Sequence, residues 1–273
     1  MPARGGPGKA VAISCRHDLQ HSHASCLLPE NHDWIAQHRK AWAAKAGLRG
    51  YYRQEIYARL RRALHSGSTL EIGAGPGLLA AEEPRLPGLV SSDISAGPET
   101  EVVCDAHALP FADGNMANIV AVDTLHHLAR PGAILAEVSR VLRPGGRLVL
   151  VEPWTSPLGW LVYRYLHHEN CKHVPDPWNW AAPAGKDPMV GNAVIPKAIL
   201  VDQAEAMAGF APDLSLSTVE PFGGPSFMMT GGFRSWGLPW PAIRRVVSLE
   251  SRLPARLMRL LALRALLVLD KAG

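Results

Sequence analysis

The chain has 273 residues, 47% hydrophobic and 19% charged, with 28 basic against 24 acidic side chains and a formal net charge of +4. That length suits one large α/β core with room for insertions and leaves too little for two full domains. No run approaches the roughly 20 apolar residues needed to cross a bilayer, and the first residues lack a signal peptide's apolar centre, so the expected location is the cytoplasm.

Residues 1–30 mix Gly, Pro, Ser and His with little periodicity and read as a disordered extension ahead of a single domain over 31–273. Within them Cys15, His17, His21, His23 and Cys26 are ligand types that zinc accepts. Their spacing matches no closed structural zinc pattern, and a tail without a core holds no ligand geometry, so no metal is expected. Together with Cys104 and Cys171, Cys15 and Cys26 are scattered without disulfide-like spacing and read as reduced thiols.

Over 31–66 the chain turns helical and basic, and Gly47 and Gly50 are expected to divide it into two helices. Tyr52, Ile56, Leu60 and Ala63 recur at helical spacing, which predicts an inner face against a sheet. The strongest signal follows at Leu70-Glu71-Ile72-Gly73-Ala74-Gly75-Pro76-Gly77, a buried strand breaking into a glycine turn with a carboxylate just before it. Only glycine lets a backbone run so close under a bound cofactor.

Each of the next three strand-like runs ends near an acid: Leu89 to Ser92 at Asp93, Glu101 to Cys104 at Asp105, and Asn118 to Val122 at Asp123. In an open parallel sheet such strand ends face one crevice. A carboxylate after the second strand can accept hydrogen bonds from both hydroxyls of a ribose, and one after the third can reach an adenine amine. A dinucleotide fold needs the first of these but not usually the second.

Pro131 to Leu142 reads as an amphipathic helix stopped by Pro144-Gly145-Gly146, and Arg147 to Val151 as the fifth strand. Ile195 to Phe210 reads as the next helix, Leu214 to Val219 as the sixth strand and Arg264 to Leu269 as the last. Two segments, 154–195 and 221–258, are insertions expected on the substrate side. The first carries Tyr163, Tyr165, His167, His168 and Glu169, side chains able to position and deprotonate an acceptor hydroxyl. Adjacent residues on a helix point apart, so only one of His167 and His168 faces a pocket. Leu253, Leu257, Leu260 and Leu261 share one side of a basic helix, which predicts packing on the sheet edge, with an anionic membrane surface as the other candidate.

The glycine turn and Asp93, with the runs Asp105 to Phe111, Val122 to Leu128 and Leu142 to Leu148, resemble the class I S-adenosylmethionine-dependent methyltransferases. The similarity is to the branch of ubiquinone and menaquinone biosynthesis (methyltransferase type 11). It covers about Gly67 to Pro153, the cofactor-binding core 67–153. One departure is Ala117, where that branch usually carries an aspartate.

The resemblance implies a Rossmann-like, seven-stranded, mostly parallel α/β sheet whose last strand runs antiparallel between the fifth and sixth. It also implies helices on both faces and an N-terminal helical lid. The cofactor implied is S-adenosylmethionine, with Glu71, Gly73, Gly75 and Gly77 shaping its turn, Asp93 on the ribose, Asp105 and Ala106 at the adenine, and Asp123 beside them. His126, His127 and His168 are candidate bases, and Tyr52, His167 and Glu169 candidate substrate contacts.

No cysteine pair suited to metalloid methylation and no Asn-Pro-Pro-aromatic motif is visible, so oxygen of a small-molecule or lipid- or sugar-linked acceptor is the expected nucleophile, followed by carbon. A non-catalytic Rossmann-like scaffold is the alternative from another class. The basic rim admits peripheral membrane contact, while the lack of a recognisable RNA-binding module argues against a nucleic-acid substrate. Oligomeric state is open.

Overall fold

Strands buried on both faces read as continuous apolar runs, and here those runs form one sheet. The computed structural model describes residues 33–167, 170–181 and 190–273. Its strands are β1 (Thr69–Ile72), β2 (Leu89–Asp93), β3 (Val102–Val103), β4 (Met116–Val122), β5 (Leu142–Pro153), β6 (Leu214–Phe222) and β7 (Arg264–Lys271), in the order β3-β2-β1-β4-β5-β7-β6. The first five pair in parallel, and β7 runs antiparallel between β5 and β6. Because β7 is reversed, its first residue, Arg264, lies opposite Pro153 and Phe222. The start of β7 therefore shares a rim with the carboxyl ends of the parallel strands, where open α/β sheets bind ligands.

The helices are α1 (Asp33–Ala44), α2 (Ala46–Tyr51), α3 (Ala58–Ala63), α4 (Pro131–Val141), α5 (Pro157–Tyr165), α6 (Ile195–Lys197), α7 (Pro225–Met229), α8 (Trp240–Glu250) and α9 (Ala255–Leu261), with a π turn, Tyr52–Tyr57, joining α2 to α3. On one face of the sheet, Ile134, Leu135, Val138 and Val141 of α4 pack with Leu148, Leu150 and Leu267. On the other, Tyr51, Ile56, Tyr57 and Leu60 pack with Val120, Val149, Val151 and Leu266. Each aliphatic side chain so buried is worth about 2 kcal/mol, which makes these two layers the main hold on the sheet.

Three expectations are corrected. The N-terminal helices separate at Lys45, in extended backbone (φ −109°, ψ 93°), and not at the glycines. Gly47 and Gly50 instead lie where α8 and the residues before it press close: a Cβ at 47 would sit 2.1 Å from the Leu238 carbonyl oxygen, and one at 50 would sit 2.4 Å from the Trp240 ring. The stretch from Ile195 to Phe210 is not one helix. It runs from α6 through a π turn (Ala198–Asp202) into a 3₁₀ turn (Ala204–Gly209), because Gln203 leaves the helical region at φ −129°, ψ 37°.

The third concerns α9, which packs only partly. Met258 meets the core, whereas Leu257 and Leu260 are 46% and 50% exposed. None of the described helices is long and apolar enough to cross a membrane. The extension 1–30, its Cys15 to Cys26 segment, His168 and Glu169 lie outside the described residues.

Candidate functional site

Loops at the carboxyl rim enclose a cavity of about 950 Å³, at the upper end of the usual range for ligand pockets. Gly73 and Gly75 of the glycine turn form its floor, while Gly77 lies outside its wall. Gly73, Gly75 and Gly77 adopt φ of +71°, +51° and +71°, left-handed backbone that β1 needs to turn sharply away from the sheet. Asp93, ending β2, holds the turn: its Oδ2 accepts from the Gly75 N–H at 2.8 Å and its Oδ1 from the Ser95 N–H at 2.9 Å. A carboxylate oxygen has two lone pairs, so each keeps one for a ligand hydroxyl.

Asp105 follows β3 and is fixed by its neighbour. The His107 N–H donates to Oδ1 at 2.9 Å, and the His107 ring nitrogens lie 2.6 Å from that oxygen and 2.7 Å from the Ala129 carbonyl. Partial burial pushes the Asp105 carboxyl up, but the hydrogen bonds and charge of His107 outweigh it and hold the group below its ordinary value. Ala106 lies buried in the wall beside it.

Glu71 is 4% exposed and borders the cavity, its Oε2 accepting from the Ser91 hydroxyl at 2.9 Å. Burial pushes its carboxyl up to about 7, more than the Ser91 hydrogen bond pulls it down. A cationic ligand beside Glu71 stabilises the carboxylate, so below pH 7 binding must first remove a proton, and affinity rises with pH. S-adenosylhomocysteine, which carries an ammonium group, is expected to bind about tenfold more tightly at pH 8 than at pH 6. Calorimetry across that range checks this, and Glu71→Gln is expected to flatten the profile; a flat profile in the unaltered protein removes Glu71 from the cation's surroundings.

Asp123, Arg264 and Tyr52 also line the cavity. Asp123 takes φ +54°, a left-handed backbone that aspartate tolerates better than most residues. Its Oδ1 is paired with Arg264 Nη1, and the Tyr52 hydroxyl donates to its Oδ2 at 3.4 Å. Arg264 is 3% exposed and lies with its guanidinium carbon 5.0 Å from the centre of the Phe227 ring. Tyr163 donates to the Leu263 carbonyl at 2.6 Å and packs edge-on to His167, which also lines the cavity.

The two histidines after β4 part company. His127 is half-buried and lines the cavity. His126 is outside its wall and 1% exposed, with Nδ1 2.6 Å from Glu152 Oε2, while Glu152 Oε1 accepts from the Thr124 and Leu125 N–H groups at 3.0 and 2.8 Å. His126 thus braces the loop that presents His127.

Several wall residues escaped the sequence reading. Trp34 and His38 bring α1 over the glycine turn, and His38 stacks on Phe233 at 4.1 Å. Trp34 and His38 are four apart on one helix, a spacing that puts them on one face. Arg264 also left a signal, as a lone charge opening the apolar run Ala265 to Leu269.

The arrangement fits an adenosyl ligand: a glycine-rich turn, two carboxylates with spare lone pairs beside it, and a mostly apolar chamber beyond. Residues 70–150 match the family model described as a methyltransferase domain. The ubiquinone/menaquinone biosynthesis C-methyltransferase UbiE of Desulfotalea psychrophila is 39% identical over 64 residues, 23% of this chain and 26% of its own. A demethylmenaquinone methyltransferase of Beutenbergia cavernae is 35% identical over 109 residues, 36% of this chain and 45% of its own. The chain thus spans less than half the length of these curated relatives. Among solved structures, a SAM-dependent methyltransferase from Archaeoglobus fulgidus is similar over 80% of this chain and 94% of its own, at 18% identity and a TM-score of 0.45.

Proposed function

Since residues 70–150 carry a class I S-adenosylmethionine-dependent methyltransferase domain of the ubiquinone/menaquinone-biosynthesis-like branch, whose cofactor is S-adenosylmethionine, we propose that the protein methylates an oxygen of a small-molecule acceptor. The observation that carries this reading is the single cavity that runs from the glycine turn and its carboxylates to Arg264, Tyr163 and His167.

Bound S-adenosylmethionine supplies a methyl carbon already activated by its sulfonium. What the protein must add is alignment for in-line displacement and a dry place for the nucleophile. Glu71, Asp93 and Asp105 orient the cofactor at the floor, while Trp34, Phe227 and Phe233 close the chamber against water. His127 or His167 accepts the proton of an acceptor hydroxyl, as an imidazole can near neutral pH. A second reading, transfer to carbon, is favoured by the C-methyltransferase name of one relative. Acceptor screening with a ¹³C-labelled methyl group separates the two, since a methoxy carbon resonates far downfield of a carbon-bound methyl.

Calorimetry with S-adenosylmethionine, S-adenosylhomocysteine and NAD tests the reading first. Micromolar binding of the first two and none of NAD is expected; NAD binding alone overturns it, and silence toward all three transfers the weight to a non-catalytic scaffold. Asp93→Ala removes a charged hydrogen-bonding partner and is expected to weaken S-adenosylhomocysteine binding by about 1–3 kcal/mol. Unchanged affinity in that variant takes the ribose role away from Asp93.

A further inference from the structure

The inner side of α5 is built like that of any surface helix. Gly159, Val162 and Tyr163 are buried, and the Tyr163 hydroxyl ties the helix to the Leu263 carbonyl, just past the end of α9. Its outer side is apolar as well. Trp160, Leu161 and Tyr165, with Leu166 just after the helix, are 46–66% exposed. Trp160, Leu161, Arg164 and Tyr165 fall at i, i+1, i+4 and i+5 and so share one side, where the Trp160 and Tyr165 rings meet edge-on at 5.9 Å. The neighbouring helix repeats the pattern: α9 packs against α5, has no fully buried residue, and leaves Leu257 and Leu260 open beside Arg256 and Arg259. Single exposed apolar side chains are ordinary, but a group of them on two touching helices is a patch, and patches mark contact surfaces.

Charge says what this patch meets. Over 154–167 and 223–263 all the arginines are exposed and there is no lysine or aspartate. The one acid there, Glu250, is buried, with its carboxylate taken by the Ser226 N–H and hydroxyl. Arg164, Arg252, Arg256 and Arg259 lie on or beside the two helices. A second copy docked face to face would bring these arginines together with no carboxylate between them, and like charges across an interface oppose binding. An anionic lipid surface answers both features. Its phosphates pair with guanidinium groups, and its headgroup layer is where tryptophan, tyrosine and the stems of arginine settle, with leucines reaching the acyl boundary. No described helix is long and apolar enough to cross a bilayer, so the contact is one of helices lying in the surface. Leu166 and Trp236, both exposed, also line the cavity, and the face therefore reaches the cavity's rim.

We propose that the outer faces of α5 and α9 dock the protein on an anionic membrane, the two helices lying in the plane of the headgroups with the rim of the cavity at Leu166 beside the lipid.

Sedimentation of the full-length protein with vesicles tests this without cofactor or acceptor, so the result stands apart from the methyltransferase reading. Vesicles of phosphatidylcholine carrying about 30% phosphatidylglycerol are expected to bind the protein at least about tenfold more tightly than phosphatidylcholine alone, and high salt is expected to weaken that binding. Two pairs of substitutions divide the face into its parts. Leu257→Gln with Leu260→Gln removes apolar contact, Arg256→Gln with Arg259→Gln removes charge, and each pair is expected to weaken binding to the anionic vesicles about tenfold or more. Arg62→Gln with Arg143→Gln is the control: it removes the same charge from the opposite rim, where Arg143 reaches the Ser66 carbonyl ahead of β1, and is expected to change binding less than about twofold. All six side chains reach the surface, so the variants are expected to melt close to the parent; should one helix pair not fold, the other pair decides. No binding to anionic vesicles, equal binding to both kinds, or binding that survives both helix pairs overturns the proposal. An equal loss in the control reduces the attraction to net charge and overturns it too. So does a dimer that the leucine pair dissociates while vesicle binding stays as in the parent, which assigns the face to a second copy.

Discussion

Replacing Glu152 with alanine is expected to lower stability by about 3–5 kcal/mol, the usual effect of removing one member of a buried charged network. Glu152 is fully buried and receives three hydrogen bonds, from Thr124 N–H, Leu125 N–H and the His126 ring. Without it those donors face a closed interior and each bears its own desolvation penalty. Domains of this kind are stable by only about 5–15 kcal/mol, so about a fifth or more of the total is at stake. Glu152→Gln keeps the shape and an oxygen for the two N–H groups, and is expected to cost about 1–2 kcal/mol. Urea unfolding at neutral pH measures both. If the alanine variant unfolds within 1 kcal/mol of the parent, the loop after β4 is held by something else. Because His126 and Glu152 act through one contact, His126→Ala combined with Glu152→Ala is expected to cost clearly less than the sum of the single changes.

The parts of this molecule that could be read from its sequence are those with local causes. The glycine turn announces itself because left-handed backbone selects glycine, and the strands because burial on both faces selects unbroken apolar runs. Asp93, Asp105 and Asp123 all border the cavity because strand ends in a parallel sheet share one rim. What escaped depends on partners far along the chain. Gly47 and Gly50 look like helix breaks, since glycine weakens a helix locally, yet their reason lies at Leu238 and Trp240. His126 and His127 look interchangeable in sequence, and only the buried carboxylate of Glu152 separates the brace from the cavity wall. The stacking of His38 on Phe233 joins the first described helix to the second insertion, a pairing that no periodicity announces. On α9 the leucine spacing does not tell which side is covered: Met258 meets the core while Leu257 and Leu260 stay exposed.

The glycine turn gives the other large effect: Gly73→Ala is expected to weaken S-adenosylhomocysteine binding at least a hundredfold. Two penalties combine. An alanine at φ +71° costs about 1–2 kcal/mol in backbone strain. Its Cβ would also lie 2.3 Å from Thr124 Cγ2 and 2.5 Å from Oγ1, closer than atoms can approach. Thr124 cannot step aside, because its hydroxyl donates to the Val122 carbonyl at 3.0 Å and its N–H to Glu152 at 3.0 Å. The turn must move instead, drawing the Gly75 N–H away from Asp93 and distorting the cofactor's floor. Adding Thr124→Ala relieves most of the clash but not the strain, so the double variant is expected to recover to within about tenfold of the parent. Gly145→Ala is the control, with φ +68°, no atom within 4 Å of the new Cβ and no place in the cavity wall. That variant is expected to lose stability and no affinity. Calorimetry on the three proteins decides the matter: if Gly73→Ala binds as tightly as Gly145→Ala, the turn is not the floor on which the cofactor rests.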